Sequence, residues 1–590
     1  METSRRTENA VVRVLCLILV SLLSIPRAEA EADRWSNVER VIAFGDVHGA
    51  YDDLIQLLRT VGVVDAQLQW AAGKTHVVST GDLMDRGPGS RKVMDLLMRL
   101  QTEAQSAGGM LHVVLGNHET MNLLGDLRYA TPAEFAAYES DEPTDVREQA
   151  RQEWSAKHGP VAATGFDMKF PRGYFAKRAA FARDGQYGRW LLGLPVAIIV
   201  NDTLFMHGGP SAVLTGLSIE EINRRYRAAL SAVLNLPEAL EPANRLDAAD
   251  QNPLLSQDGP NWYRGAAVCN EALESDVLKP LMNGLGVKRV VIGHTITRDL
   301  RVASRFDGTV VKLDTGMNRP VYKGHPAAVL LDHGDVRVVY AEGGQPVAVP
   351  REPLFVASSL DDAAVASILT NGTVTVSGPR GAGMLDVVVE RNGKRVPAVF
   401  AQGSAGAIRK NLAAYRLDRV LRLGLVPATV KRDVNGQAGI LQPWPERGAT
   451  QTDVDQKSLR PGGWCPLAPQ FQLMYAFDAL IGNEHRTRDR ILYDAGWMLL
   501  LTGHEQAFGT GKALPRHLRA PVPQLGPEMR RRLAMLDQAA LTQALGDLLD
   551  ERERGAILAR RDLLLANPEV ARSFHAVDVA RDDSDGDVGG

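Results

Sequence analysis

The chain has 590 residues, 45% of them hydrophobic and 23% charged, the balance of a soluble globular protein and not of a disordered, fibrous or disulfide-dense one. That length corresponds to about two to four domains. Its 67 Lys and Arg stand against 70 Asp and Glu, a net charge of -3, so no global basic field exists to hold nucleic acid.

In chain order, residues 1–30 come first and read as an export signal. Arg5, Arg6 and Arg13 precede the apolar stretch Val14–Ile25, which is too short to span a bilayer comfortably. Ala28-Glu29-Ala30 then offers small residues at the two positions a signal peptidase reads. The expectation is a cleaved signal and a periplasmic or secreted protein without a stable membrane span, the alternative being an uncleaved anchor. Cleavage leaves a charge of about -4 and two cysteines, Cys269 and Cys465. One disulfide is permitted between them, and cysteine cannot be the main metal ligand.

The first half alternates short apolar strands with amphipathic helices. Strands are predicted at Val41–Phe44, His76–Thr80 and Leu111–Leu115, with helices over Asp52–Val61 and Ser90–Ala107 between them. This order predicts parallel strands with right-handed crossovers. Further strands are predicted at Val196–Val200, Thr203–Met206, Lys288–Ile292 and Val310–Leu313. Residues 126–190 and 211–285 are polar insertions bearing Trp and Arg, suited to lining a substrate cleft.

Gly343, Gly344, Pro346, Pro350 and Pro353 mark a boundary. The resulting division is a first domain over 36–342, a linker over 343–356, a second domain over 357–575 and a tail over 576–590 whose composition predicts disorder. The second domain reads as α+β, with strands at Gly372–Val376, Asp386–Val389 and Ala398–Ala401, a helix over Asn411–Leu423, and mostly helix from 471 to 575.

Three motifs end the first three strands: Gly45-Asp46-Val47-His48-Gly49, Gly81-Asp82-Leu83-Met84-Asp85-Arg86-Gly87 and Gly116-Asn117-His118-Glu119. Two later strand ends carry His207-Gly208-Gly209 and Gly293-His294-Thr295. In open α/β folds, ligands sit beyond the carboxyl ends of the strands. Carboxylate, amide and imidazole are ligands for Mn, Fe or Zn. An Asp shared between two such ions suits two-metal hydrolysis.

Together these five motifs resemble those of the calcineurin-like metallophosphoesterases, in particular the phosphoprotein phosphatase superfamily and its Shewanella-like branch. Asn261-Trp262-Tyr263-Arg264-Gly265 resembles the Trp-x-Arg segment of that branch, and Leu313-Asp314-Thr315-Gly316 resembles the stretch after the last metal histidine in bacterial members. The resemblance implies an α/β fold built as a β-sandwich flanked by helices. It implies two divalent or trivalent ions, one on Asp46 and His48 and one on Asn117, His207 and His294, bridged by Asp82. It makes His118 the general acid and Asp85 its partner. Arg86 and Arg264 would clamp phosphoryl oxygens, with Asn117 also near the substrate. The reaction implied is hydrolysis of a phosphomonoester by direct attack of a metal-bridging hydroxide. A Ser/Thr or Tyr phosphoprotein is the favoured substrate, and small phosphoesters fit as well. A nucleotide or dinucleotide polyphosphate hydrolase, or a metal-containing binding protein without catalysis, are the alternatives. Glu119 reads as a structural hydrogen-bonding group, the ligand count being already filled.

Residues 355–575 resemble the atypical kinases related to phosphatidylinositol kinases and HipA-type kinases. The resemblance rests on Asn411–Asp418, Leu425–Thr429, Phe477–Asn483 and His504–Phe508. The positions that should carry its chemistry hold Ala401, Asn411, His485, Arg490 and Gly503. Phosphoryl transfer from ATP needs a cation on the phosphates, acidic metal ligands and a base. The expectation is therefore a pseudokinase-like accessory domain, with a role in binding substrate or partner. Asp478, Asp489 and Glu505 are the residues that could restore a kinase site.

Overall fold

The computed structural model describes residues 33–159, 163–237, 242–332, 334–353, 360–381, 383–445 and 447–568. The predicted export signal and residues 569–590, which include the 576–590 tail, lie outside the described residues. In the first half the strands are β1 (Arg34–Trp35), β2 (Arg40–Phe44), β3 (His76–Ser79), β4 (Met110–Val113), β5 (Ala197–Val200) and β6 (Thr203–Met206). There follow β7 (Arg289–Ile292), β8 (Ala303–Arg305), β9 (Val310–Lys312), β10 (Ala327–Asp332), β11 (Asp335–Tyr340) and β12 (Val347–Ala348).

These strands form two six-stranded sheets, ordered β12-β11-β10-β2-β3-β4 and β1-β5-β6-β7-β9-β8. β2, β3 and β4 run parallel, as the alternation with helices predicts. β6, β7 and β9 do the same in the second sheet. The sheets stack face to face. Val41, Ala43 and Val78 of the first share a buried cluster with Ile198, Phe205 and Val291 of the second. The alternate residues Ile42, Phe44 and Val77 face the opposite way, into a cluster with helix residues such as Leu54 and Leu97. Both faces of the inner strands are covered, which is why these strands read as unbroken apolar runs.

The hairpin β10–β11 was not among the predicted strands. β10 opens on two alanines, which strands disfavour. Residues 126–190 and 211–285 fold mainly as helices, among them Pro132–Ala136, Tyr174–Phe181, Ile219–Leu234 and Glu271–Leu285.

In the second half, β13 (Thr373–Gly381), β14 (Met384–Arg391), β15 (Lys394–Gln402), β16 (Val430–Val434) and β17 (Gln437–Pro443) form an antiparallel sheet in the order β13-β14-β15-β17-β16. The helix expected from Asn411 runs over Ala405–Leu421, because the Ser404 side chain caps it earlier by accepting the Ala407 N–H. Helix does not dominate throughout 471–575. Between the helices Leu467–Ile481 and Pro527–Ala534 lie β19 (Ile491–Tyr493) and β20 (Leu499–Leu501), which pair with β18 (Ala449–Thr450) in a small sheet. Gly482, Gly496, Gly503, Gly509, Gly511, Pro515 and Pro521 interrupt helix there.

The two halves are joined by more than the linker. Cys269 and Cys465 are disulfide-bonded across 196 positions. Ala272 and Leu273 pack into the apolar cluster of Leu417, Leu473 and Met529. Lys279 Nζ donates to Glu528 at 2.6 Å. Among the described residues, no helix is long and apolar enough to cross a membrane.

Candidate metal centre

The five motifs meet at the carboxyl ends of β2, β3, β4, β6 and β7. Asp46, His48, Asp82, Asn117, His118, His207 and His294 are all buried. Close approach of the loops demands glycine at two points. A Cβ on Gly116 would stand 2.2 Å from Asp82 Oδ1, and one on Gly293 would stand 2.3 Å from Asp46 Oδ1. His48, Asp82, Asp85, Arg86 and His294 all have positive φ, conformations that L-residues hold only where the surroundings enforce them.

Three imidazoles are set up in the same manner. His48 Nδ1 donates to Met84 O at 3.0 Å, His207 Nδ1 to Thr80 O at 2.8 Å, and His294 Nε2 to Trp262 O at 3.0 Å. Each ring turns its other nitrogen inward. His48 Nε2 stands 3.7 Å from Asp82 Oδ2, and His207 Nε2 stands 3.2 Å from Asp82 Oδ1. The Asn117 amide head lies 2.9 Å from His207 Nε2 and 3.0 Å from His294 Nδ1. A ring N–H tied to a carbonyl fixes the tautomer of a metal-ligating histidine. Inward lone pairs packed this closely around a buried carboxylate fit a cation between them.

Two groups of side chains stand close enough to hold a cation: His48, Asp82 and His118, and Asp82, His207 and His294. Asp82 belongs to both. Asp46 joins neither group; its two oxygens accept the backbone N–H of His294 at 3.1 and 3.0 Å. Burial and the neighbouring Asp314 push the Asp46 carboxyl well above the carboxylate range. Burial would raise Asp82 too, but the imidazoles of His207 and His118 hold it well below. Burial works against charge on His207, yet the Asp82 and Asp46 carboxylates push it up to about 9. Burial and His118 bring His48 down to about 3.

His118 sits at the start of the helix Asn117–Leu124. Its Nδ1 donates to Asp85 Oδ2 at 2.7 Å, and its Nε2 faces the centre, 3.8 Å from Asp82 Oδ2. Burial opposes its protonation, but Asp82 and the bond to Asp85 prevail and raise it. Glu119 does what the sequence suggests: it accepts the N–H groups of Gly116, Asp82 and Leu83 at 2.7, 2.9 and 2.8 Å.

Arg86 lies over the Tyr129 ring at 4.8 Å and the Tyr322 ring at 5.6 Å, and donates to the Tyr322 hydroxyl. Its buried Nε has no hydrogen-bond partner. Arg264 lies behind the last histidine, donating to His294 O at 2.8 Å and to Thr295 Oγ1 at 3.2 Å. Its guanidinium faces Trp464 of the C-terminal half at 5.9 Å. Sequence reasoning missed Tyr129, Tyr322 and Asn122, whose Nδ2 donates to Asp85 Oδ2 at 2.9 Å. Asn122 was findable: it lies one helical turn after His118. The tyrosines were not, since only tertiary structure brings them to Arg86.

The second half contains no comparable centre among the described residues. Asp478 is engaged by Arg486 at 2.6 and 2.8 Å, Asp489 by the Thr452 hydroxyl, and Glu505 by Arg490 at 3.5 Å. The Arg490 side chain lies against Gly503, where a Cβ would meet its Cδ at 2.7 Å. Of these three carboxylates, Asp478 and Glu505 are thus taken up by arginines of the same half.

Residues 39–298 match the family of calcineurin-like phosphoesterases. Shewanella-like protein phosphatase 2 of Arabidopsis thaliana is 28% identical over 341 residues, covering 52% of this chain and 78% of the relative. Shewanella-like protein phosphatase 1 of Plasmodium berghei is 25% identical over 302 residues, covering 50% and 70%. Among solved structures, the cold-active protein-tyrosine phosphatase of a psychrophilic Shewanella species is 27% identical, with a TM-score of 0.40, and covers 53% of this chain and 82% of that one.

Proposed function

We propose that residues 39–298, which match the calcineurin-like phosphoesterases, make this chain a metal-dependent phosphatase that hydrolyses phosphomonoesters on proteins. The observation that carries this reading is the placing of Asp82 in both ligand groups, beside an imidazole paired to a carboxylate at 2.7 Å. A binding protein has no need of a leaving-group acid. The relatives named as protein phosphatases support the choice of substrate.

Asp46 and His48 would hold one ion, Asn117, His207 and His294 the other, and Asp82 both; Mn, Fe and Zn suit these donors. Bound there, the two ions would supply Lewis acidity for the phosphoryl oxygens and acidify an attacking water. His118 Nε2–H gives its proton to the departing alkoxide, and Asp85 fixes the tautomer and stabilises the imidazolium. Arg86 and Arg264 orient the phosphoryl group, a task suited to planar guanidinium. Positioning and charge neutralisation supply most of the rate in such transfers. We assign the C-terminal half a non-catalytic role in holding a substrate or partner, and place the mature protein in the periplasm or outside the cell.

The test is hydrolysis of an aryl phosphate, phosphoserine and phosphotyrosine peptides and a dinucleotide polyphosphate by the metal-loaded chain, with Asp82→Ala and His118→Ala as controls. Phosphopeptide turnover lost in both controls is expected. Turnover of the dinucleotide alone would assign the site to nucleotides instead.

A further inference from the structure

Behind the His118–Asp85 pair lies a buried ion pair supplied by the insertion 126–190. Lys177, from the helix Tyr174–Phe181, is 1% exposed, and Glu134, from the helix Pro132–Ala136, is 2% exposed. Burying an ammonium is costly unless it is paired. Here it faces two carboxylates. Lys177 Nζ donates to Glu134 Oε1 at 3.2 Å and stands 3.7 Å from Asp85 Oδ1. The Phe135 and Phe181 rings flank it at 5.7 and 5.6 Å.

Glu134 reaches the same aspartate through its backbone. Oε1 also accepts the Asp85 N–H at 3.2 Å, while Oε2 accepts the Thr131 N–H at 3.1 Å and closes the capping box of its own helix. The duties of the two Asp85 oxygens are thereby divided. Oδ2 takes hydrogen bonds from His118 at 2.7 Å and Asn122 at 2.9 Å. Oδ1 has no hydrogen bond and faces the lysine charge. Asp85 and Arg86 both sit at φ +67°, and the Glu134 tether holds the first of these left-handed residues in place.

We propose that Lys177 and Glu134 are positioning residues, which hold Asp85 in the orientation that presents His118 to the leaving group. The proposal rests on the reading of His118 as the acid. Its consequence is that the insertion, besides shaping the cleft, is part of the proton-donating apparatus.

The experiment compares kcat of the metal-loaded full chain on an alkyl phosphate, whose leaving group needs a proton, and on an aryl phosphate, whose leaving group scarcely does. Lys177→Met and Glu134→Gln should each lower kcat on the alkyl ester about tenfold, within the range general acids contribute. On the aryl ester kcat should fall less than about threefold, with KM and metal content unchanged. Lys177→Arg should recover most of the alkyl-ester activity. Equal losses on both esters, or none on either, would overturn the proposal. If Lys177→Met does not fold, Glu134→Gln carries the same comparison. His118→Gln separates the two readings. If it is selective for the alkyl ester and the Lys177 and Glu134 variants are not, the positioning role alone fails. If His118→Gln is not selective either, the acid reading fails and the proposal with it.

Discussion

His294 donates its backbone N–H to both carboxylate oxygens of Asp46, at 3.1 and 3.0 Å, across 248 positions of sequence. Gly293 permits this, since a Cβ there would stand 2.3 Å from Asp46 Oδ1. Gly293→Ala should therefore displace Asp46. The expected result is reduced metal content together with a destabilisation of about 1–3 kcal/mol, the usual cost of overpacking. Metal analysis and denaturant unfolding of the purified variant check it.

His118→Gln should keep its metal and lose turnover by about 10²–10⁴-fold on phosphopeptides, the range assigned to general acids. Asp85→Asn should follow it on the same substrates, since the imidazolium formed at His118 loses its carboxylate partner at 2.7 Å. Steady-state rates at saturating substrate, with metal content measured in parallel, separate loss of the acid from loss of the site.

Metal uptake should release protons. Without a cation, burial resists charge on His207, but Asp82 and Asp46 push it up to about 9. Burial and Asp314 raise Asp46 as well. Below pH 9 the metal must displace at least the His207 proton, so affinity rises with pH. Competition titrations between pH 6 and 8 should show about tenfold tighter binding per pH unit for each proton displaced. Affinity independent of pH would contradict the assignment of His207 as a ligand.

The contact between the halves should weaken in acid. Burial works against the Glu528 charge, but Arg531, Lys279 and Arg532 hold its carboxyl down at about 2, from an ordinary value of 4.5. A carboxylate depressed in the folded state contributes stability that is complete above its unfolded value and is lost as pH falls through the folded one. The stability difference between wild type and Glu528→Gln should be full above about pH 4.5 and shrink toward zero near pH 2. Unfolding curves of both proteins over that interval provide the measurement.

Much of the first half is legible in the sequence, because the inner strands are covered on both faces and each motif stands directly after an apolar run. His207 follows Met206 at the end of β6, and His294 follows one glycine after β7. Asp82, Asp85 and Arg86 could be read as a set because they share one loop. Lys177 and Glu134 could not, since nothing local marks a lysine in an amphipathic helix as buried. The spacing of Asp46 and His48 marks them as a pair, but only the fold brings the Asp46 oxygens to the amide of His294. The second half was less legible. Its helix boundaries depend on caps such as Ser404, and β16 and β17 alternate too weakly to stand out.

The most direct test counts metal ions. The chain, loaded with Mn, Fe or Zn and freed of excess, should hold two ions per molecule, and Asp82→Ala should hold fewer than one and hydrolyse nothing. One ion in the wild type, or two ions and undiminished turnover in Asp82→Ala, would contradict the account of Asp82 as the ligand common to both.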